Sequence, residues 1–346
     1  MKRNILLNAI LILADGQQYN ASNKARTDVE TILKGKGFEI REVPYRDYKF
    51  VPLRAIYKLF SYLKAIKKIE KNDIVWFQYP IFTSFTSFRI IAKKLKKKGC
   101  KICFIVHDIE SLRFGKDMVD DLNFLNLGDF AIMHTDNMIR VLKDNGAKID
   151  MKPMYLFPYI STDKYVDTQK CVELRNTIAF AGNLLKSDFL KPLVKTQFEN
   201  IFFRLYGFKC ELDLNITKRA EYMGKFSPDN TSFIEAGWGL VWDGQSLDTC
   251  DGLMGEYQQY NSPHKLSLYV SAGIPVIVCQ KSAFAPFVKK ENIGIVVSSI
   301  YDIDKQIGEL SESEYATKLA NVRKVSEKLR KGGQFADIID ELNDKN

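Results

Sequence analysis

The chain has 346 residues, of which 46% are hydrophobic and 27% charged, enough apolar material for two cores and too much for a disordered protein. Its formal charge of +9 is uneven, since residues 1–155 carry 28 Lys and Arg against 17 Asp and Glu, leaving 23 against 25 in the remainder. No apolar run reaches the ~18 residues of a membrane-crossing helix, so any membrane contact is expected at the surface only, and the basic half points to an anionic partner: a phospholipid surface, a phosphorylated substrate or nucleic acid.

The first residues, Met1 to Ala14, open with two basic residues and an apolar run, as a signal peptide does. Asn8 interrupts that run, and Asp15-Gly16 stands where a small-residue cleavage site would lie, so a buried first strand is expected. Strand-like runs follow at Phe38 to Val43, Ile74 to Gln78, Ile102 to Val106, Phe130 to Met133 and Met154 to Phe157, with helical patterns at 22–35, 53–70, 85–98, 118–126 and 135–146. This alternation predicts a parallel sheet covered on both faces, with ligands at the carboxyl ends of its strands.

Two of these helices are basic. In 53–70 an apolar stripe of Leu53, Ile56, Leu59, Phe60, Leu63 and Ile66 is flanked by Arg54, Lys58, Lys64, Lys67 and Lys68. The helix over 85–98 ends in Lys93, Lys94, Lys96, Lys97 and Lys98. The stripe reads as a core-facing surface with snorkelling lysines, while the lysines together offer an electrostatic dock for anionic lipid heads. No nucleic-acid module is recognisable, so nucleic acid is not expected as a partner.

Residues 159–175, YISTDKYVDTQKCVELR, are polar and aperiodic, and read as a linker. Beyond it a second alternation begins, with strands at Thr177 to Ala181, Ile201 to Tyr206, Leu240 to Trp242, Pro275 to Val278 and Ile293 to Val297, and late helices at 302–310, 312–331 and 334–343. The stretch from Trp238 to Val278 is the most informative. Ser262 is placed as an N-cap and Pro263 as the first helical residue, with Lys265 in the first turn and Ala272-Gly273 as the stop. A helix N-terminus bearing a lysine suits an anion such as a diphosphate, although most helix N-termini are only capped. The loop in front, 243–261, is long and polar, as functional loops at strand ends are.

Other candidates lie at strand ends. Gly182-Asn183 follows a strand, with Lys186 as a nearby cation, but no Gly-rich dinucleotide fingerprint or P-loop motif occurs. His107 and Asp108 follow the fourth strand, with Glu110 and Arg113 in HDIESLRFG, where a catalytic base would stand. Asn23, Lys24, Arg26 and Asp28 open the first crossover helix, where Lys24 and Arg26 reach an anion or are merely solvated. The three His are scattered, which gives no metal pair, and Asp302-x-Asp304 reads as a helix cap. The six Cys form no disulfide framework, and Cys100-x-x-Cys103 falls in a strand where its thiols face opposite ways.

The segments DGQSLDTCDGLMGEY and NSPHKLSLYVSAGIPV, with FAGNL at 180–184, IVHDIESLR at 105–113 and NKARTDVE at 23–30, resemble the bacterial β-1,6-galactofuranosyltransferases of surface-polysaccharide assembly. The chain is similar, more distantly, to glucosyltransferases that extend glycans on streptococcal adhesins. The resemblance implies an α/β, GT-B architecture of two Rossmann-like domains with parallel sheets facing a cleft: an acceptor domain over 1–158, a linker over 159–175, a donor domain over 176–325, and a helix over 326–346 that returns to the first domain. It implies a UDP-sugar donor, UDP-galactofuranose in the nearer group, with no metal and no cofactor. Gly182, Asn183, Lys186, Asp243, Asn261, Ser262, His264 and Lys265 then fall on the donor side, and Lys24, Arg26 and Glu110 on the acceptor or anion side. The acceptor implied is a glycan on a polyprenyl diphosphate, handled by a cytoplasmic enzyme peripheral to the inner membrane face, with a homo-oligomeric state left open.

The helix PHKLSLYVSA contains no acid, which favours inversion by direct displacement, with Asp108 as base, His107 second, and Asp28 or Glu110 as alternatives. A UDP-glucose-dependent glucosyltransferase acting on a glycoprotein, a nucleotide-sugar epimerase and a non-catalytic sugar-nucleotide-binding partner subunit are the competing readings.

Overall fold

The structure, a computed structural model, describes residues 2–12, 21–46, 51–214 and 218–344. It contains two compact units. One runs to Met154 and takes in the end of the chain from Phe335; the other spans Tyr155–Gln334.

In the first unit the elements are β1 (Asn4–Ile12), α1 (Ala21–Gly35), β2 (Glu39–Arg46), α2 (Val51–Ala65), β3 (Ile74–Tyr79), α3 (Phe85–Lys97), β4 (Lys101–Val106), α4 (Glu110–Phe114), α5 (Val119–Leu125), β5 (Phe130–Met133), α6 (Asp136–Asp144) and β6 (Asp150–Pro153). The strands form one parallel sheet in the order β2-β1-β3-β4-β5-β6. All six residues of β3 are buried, as expected of a central strand with helices on both faces. Ser84 and Thr135 cap α3 and α6 by accepting from Ser87 N and Met138 N.

Three expectations need correction here. The last strand is not the apolar run Met154 to Phe157 but the polar DMKP before it, because β6 is a half-exposed edge. Met154, Leu156 and Phe157 are buried without a ladder, and Tyr155 has φ +56°, which no strand accommodates. The stripe on α2 is not core-facing as a whole, since Leu53, Ile56 and Phe60 are 49%, 65% and 70% exposed. The buried side of this segment is instead made by Tyr62, Ile66 and Ile69. Lys98, finally, does not face solvent for a lipid: its ammonium donates to the carbonyls of Ile66, Lys67 and Ile69 at 3.1, 3.2 and 2.7 Å, satisfying groups beyond the end of α2.

The second unit contains α7 (Thr168–Glu173), β7 (Thr177–Ala181), α8 (Leu190–Leu193), β8 (Phe202–Tyr206), β9 (Ala220–Gly224), β10 (Trp238–Val241), α9 (Gly252–Tyr257), α10 (His264–Ala272), β11 (Val276–Cys279), α11 (Ala285–Lys290), β12 (Gly294–Val297), α12 (Asp302–Glu309) and α13 (Glu312–Leu329). Helix α14 (Gly333–Asp344) follows and carries the chain back into the first unit. The parallel sheet has the order β12-β11-β10-β7-β8-β9. Strand β9, AEYMG, escapes a hydrophobicity reading because it is a half-exposed edge.

Residues 159–175, expected as a linker, belong to this second unit. Tyr159 is buried and its hydroxyl donates to Pro228 O at 2.6 Å, Asp163 accepts from Ser232 N at 3.0 Å, and α7 buries Cys171. The polar composition reflects a segment lying on the outside of the core.

Helix α10 is buried continuously from Leu266 to Ala272, which explains an apolar pattern without a polar face. Tyr269 lies flat on β10, where a Cβ at Gly239 would sit 2.2 Å from its ring. Its hydroxyl accepts from Ala181 N at 2.7 Å, tying the helix to the end of β7.

Candidate functional site

In the second sheet the chain leaves β7 toward β8 and leaves β10 toward β11, so the neighbours β7 and β10 form the switch point where open α/β sheets bind ligands. The carboxyl ends of both strands and the start of α10 converge on one ammonium. Lys265 Nζ donates to Asp243 Oδ1 and to Trp242 O, each at 2.9 Å, and lies 4.8 Å above the Phe180 ring. Asp243 is held from its other side by Gln258, whose Nε2 donates to Oδ2 at 2.8 Å; Gln258 Oε1 in turn accepts from Cys250 Sγ at 3.6 Å. Burial pushes the Cys250 thiol well above its ordinary value, so it remains protonated.

The start of α10 differs by one residue from expectation. Pro263, with φ −69° and ψ 143°, occupies the N-cap position, and its carbonyl accepts from Leu266 N at 2.9 Å. A proline ring already has the required φ, so Ser262 moves one place outward, where it is buried. Asn261 beside it carries a buried Oδ1 that makes no hydrogen bond among the described residues. His264 lies tilted against Tyr159 at 4.8 Å and meets Phe157 edge-on at 6.2 Å, so its ring is packed against this aromatic pair.

The loop 243–261 is built rather than loose. Asp251 Oδ1 accepts from Gln245 N at 2.6 Å and Ser246 N at 3.2 Å, Gly244 turns the chain with φ +123°, and α9 fills the second half. Gly182 donates its N–H to Tyr206 O at 3.0 Å, and a side chain there would meet only the Phe180 ring at 3.7 Å, so packing does not demand a glycine. Asn183 and Lys186 are exposed on the turn that follows.

In the first unit β1 and β3 flank the equivalent switch point. His107 and Asp108 follow β4, as the sequence implies. His107 Nε2 lies 2.7 Å from Gln78 Oε1, Asp108 Oδ2 accepts from Arg113 Nη1 at 2.8 Å, and Glu110 is exposed at the start of α4. Lys24 is turned inward onto Asp28 at 3.0 Å, with both side chains buried, so its charge is balanced within α1. Arg26 donates to Pro80 O at 3.0 Å and Gln78 O at 3.4 Å and stacks on Phe82 at 4.7 Å. The side chain of Asn23 lies outside the described residues. Gln78, Gln258 and Phe180 escape the sequence reading; Gln78 alone leaves a signal, a polar residue closing an apolar buried strand.

Among the described residues no His, Cys, Asp or Glu group of three or more could hold a metal ion, and no helix is long and apolar enough to cross a membrane. Comparison with known proteins now decides the family. Residues 8–155 match the glucosyltransferase 3-like N-terminal domain, and residues 178–342 match the glucosyltransferase 3-like C-terminal domain. The chain is 30% identical to the β-1,6-galactofuranosyltransferase WbbI of Escherichia coli, over 80% of this chain and 81% of that one. The protein belongs to the glucosyltransferase 3-like family of glycosyltransferases.

Glucosyltransferase 3 of Streptococcus parasanguinis is 27% identical over 76% of each chain. Among solved structures, sucrose-phosphate synthase from Thermosynechococcus elongatus superposes with a TM-score of 0.64 at 12% identity, over 99% of both chains. WaaG, a glycosyltransferase involved in lipopolysaccharide biosynthesis, gives 0.53 at 12% identity, over 97% of this chain and 99% of that one. At that identity these two speak for the fold alone, which is GT-B. As a hexosyltransferase of this family the chain has a nucleotide-sugar donor and a glycan acceptor.

Proposed function

We propose that this glycosyltransferase moves galactofuranose from UDP-galactofuranose to a sugar acceptor with inversion, in the assembly of a bacterial surface polysaccharide. The observation that carries the donor site is the Lys265–Asp243 pair at the β7/β10 switch point. Lys265, held in place by a carboxylate and a carbonyl, meets the diphosphate at the first turn of α10, and this charge together with the backbone N–H groups stabilises the leaving UDP. The Asn261 oxygen, buried without a hydrogen-bond donor, suits a hydroxyl of the nucleotide sugar. Inversion is favoured because no acid stands in the first turn of α10 to act from the donor side. No metal and no cofactor is assigned to the step.

The acceptor base is placed after β4. The sequence favours Asp108, but Asp108 is engaged by Arg113, whereas His107 is an imidazole, the side chain that most often serves as a general base, and is directed by Gln78. We therefore assign His107 as base, with Asp108 its neighbour. The acceptor we propose is lipid-linked, on a polyprenyl diphosphate at the inner face of the membrane. The exposed Leu53, Ile56 and Phe60 on α2 and the exposed Lys93, Lys94 and Lys97 on α3 support peripheral attachment there.

A second donor reading rests on the 27% identity to a glucosyltransferase. Incubation with UDP-galactofuranose, UDP-galactopyranose, UDP-glucose and UDP-N-acetylglucosamine, with lipid-linked acceptor sugars and measurement of UDP release and product anomeric form, separates the two. Turnover of UDP-galactofuranose to a β-linked product is expected; turnover of UDP-glucose alone refutes the galactofuranose assignment.

A further inference from the structure

A chain of four side chains crosses the first unit where β1 and β3 part: Glu30 on α1, Asn8 on β1, Gln78 on β3, and His107 after β4. Asn8 Nδ2 donates to Glu30 Oε2 at 2.5 Å, Gln78 Nε2 donates to Asn8 Oδ1 at 3.0 Å, and Gln78 Oε1 lies 2.7 Å from His107 Nε2. Asn8 and Gln78 are buried, each with apolar residues directly before it in its strand. Two amides in such a place contribute less to folding than apolar residues would, which directs attention to what they hold.

The direction of the chain follows from its ends. An ionised carboxylate only accepts, so Glu30 turns the Asn8 amide nitrogen toward itself and leaves the Asn8 oxygen facing Gln78. Gln78 must then offer its nitrogen to Asn8, and its second N–H points at Arg26 O, 3.5 Å away, in the same sense. Only the Gln78 oxygen remains for the histidine. An oxygen of this kind cannot donate, so His107 carries its hydrogen on Nε2, and in the neutral ring the lone pair sits on Nδ1.

We propose that Glu30, Asn8 and Gln78 are positioning residues that hold His107 in the Nε2–H tautomer and thereby make Nδ1 the atom that takes the proton of the acceptor hydroxyl. The second half rests on His107 being the base; the tautomer itself does not. In the step, the acceptor O–H bond breaks and its proton goes to Nδ1. The acceptor oxygen forms the new bond to the anomeric carbon, and the bond from that carbon to the diphosphate breaks with its electron pair leaving on UDP. The imidazolium so formed donates through Nε2–H into a chain that ends on a carboxylate, and it returns its proton to solvent after product leaves.

The test is long-range proton–nitrogen NMR on the full chain labelled with nitrogen-15 histidine, which has only three such residues to resolve, His107 being identified by its loss in His107→Asn. At a pH where the ring is neutral, the wild-type His107 is expected to show the Nε2–H pattern alone. In Glu30→Gln the end of the chain both donates and accepts, so the amides reverse in part and an Nδ1–H population emerges, while the His134 signals and the unfolding temperature stay at their wild-type values. Gln78→Leu removes the acceptor and gives a larger mixture. With Glu30→Gln, kcat is expected to fall roughly tenfold at an unchanged donor KM, the loss of part of a general-base contribution. An Nδ1–H pattern in the wild type, or a tautomer indifferent to both substitutions, overturns the proposal. Normal turnover by His107→Asn would overturn the catalytic half together with the base assignment, and leave the donor panel unaffected.

Discussion

Lys265 Nζ and Asp243 Oδ1 lie 2.9 Å apart, joining the first turn of α10 to the carboxyl end of β10. Both side chains are largely shielded, and the Phe180 ring covers the ammonium. An ammonium fixed in this way presents its remaining donor capacity without first being ordered, which is what a diphosphate site needs. Lys265→Ala is therefore expected to weaken UDP binding by roughly 10- to 100-fold, the worth of one charge-assisted hydrogen bond. Asp243→Asn should weaken it less, because Gln258 and Trp242 O still hold the surroundings. Titration calorimetry with UDP measures both; wild-type affinity in Lys265→Ala removes this helix start as the diphosphate site.

The packing of Tyr269 on β10 leads to a stability prediction. With a Cβ at position 239 only 2.2 Å from the ring, Gly239→Ala cannot be accommodated without displacing α10. A loss of about 1–3 kcal/mol is expected in denaturant unfolding of the variant. Tyr269→Phe leaves the ring in place but strands the buried Ala181 N–H, and should also cost about 1–3 kcal/mol.

Surface attachment through α2 is checked with vesicles. Ile56→Ser with Phe60→Ser removes the two most exposed apolar residues of that helix and should lower co-sedimentation with phosphatidylglycerol vesicles about tenfold, since each half-buried side chain contributes on the order of 1 kcal/mol. Binding that persists in this variant but vanishes at high salt would assign the attachment to the lysines alone.

His134 supplies a pH dependence. Complete burial pushes its pKa from 6.5 down to about 4, with the ring Nε2 3.1 Å from Val106 O. Between those two values the unfolded chain binds a proton that the native ring refuses, so stability is full above the upper value and declines as pH falls across the window. The decline is on the order of 3 kcal/mol. Thermal unfolding of wild type and His134→Gln across that range should show a steeper acid limb in the wild type; equal limbs would mean that the ring is protonated in the native state.

The central strands were legible because buried parallel strands are continuous apolar runs, as in IVWFQY and KICFIV. The edges were not: DMKP at β6 and AEYMG at β9 lie half in water and carry no such signal. Residues 159–175 read as a linker because a segment wrapped on the outside of a core is polar whether or not it is packed. At the proposed donor site Lys265 is suggested by its place at a helix start, and Asp243 only by the family resemblance. Their mutual contact, and the part of Gln258, needed the loop between them to be folded. In the first unit Asn8 reads only as a flaw in an apolar run, since nothing local announces a partner 70 residues away.

Helix α14 gives the chain an unusual order of completion. From Phe335 onward it buries Phe335, Ile338 and Ile339, pairs Asp340 with Lys36 and Glu341 with Lys152, and bonds Asn343 to Asn4 at 2.7 Å. The first unit thus has its sheet written by residue 153 and its closing helix some 180 residues later, with the whole of the second unit translated in between. A ribosome must release nearly the entire polypeptide before the earlier-made unit has its final buttress, so the second unit is the one able to mature first.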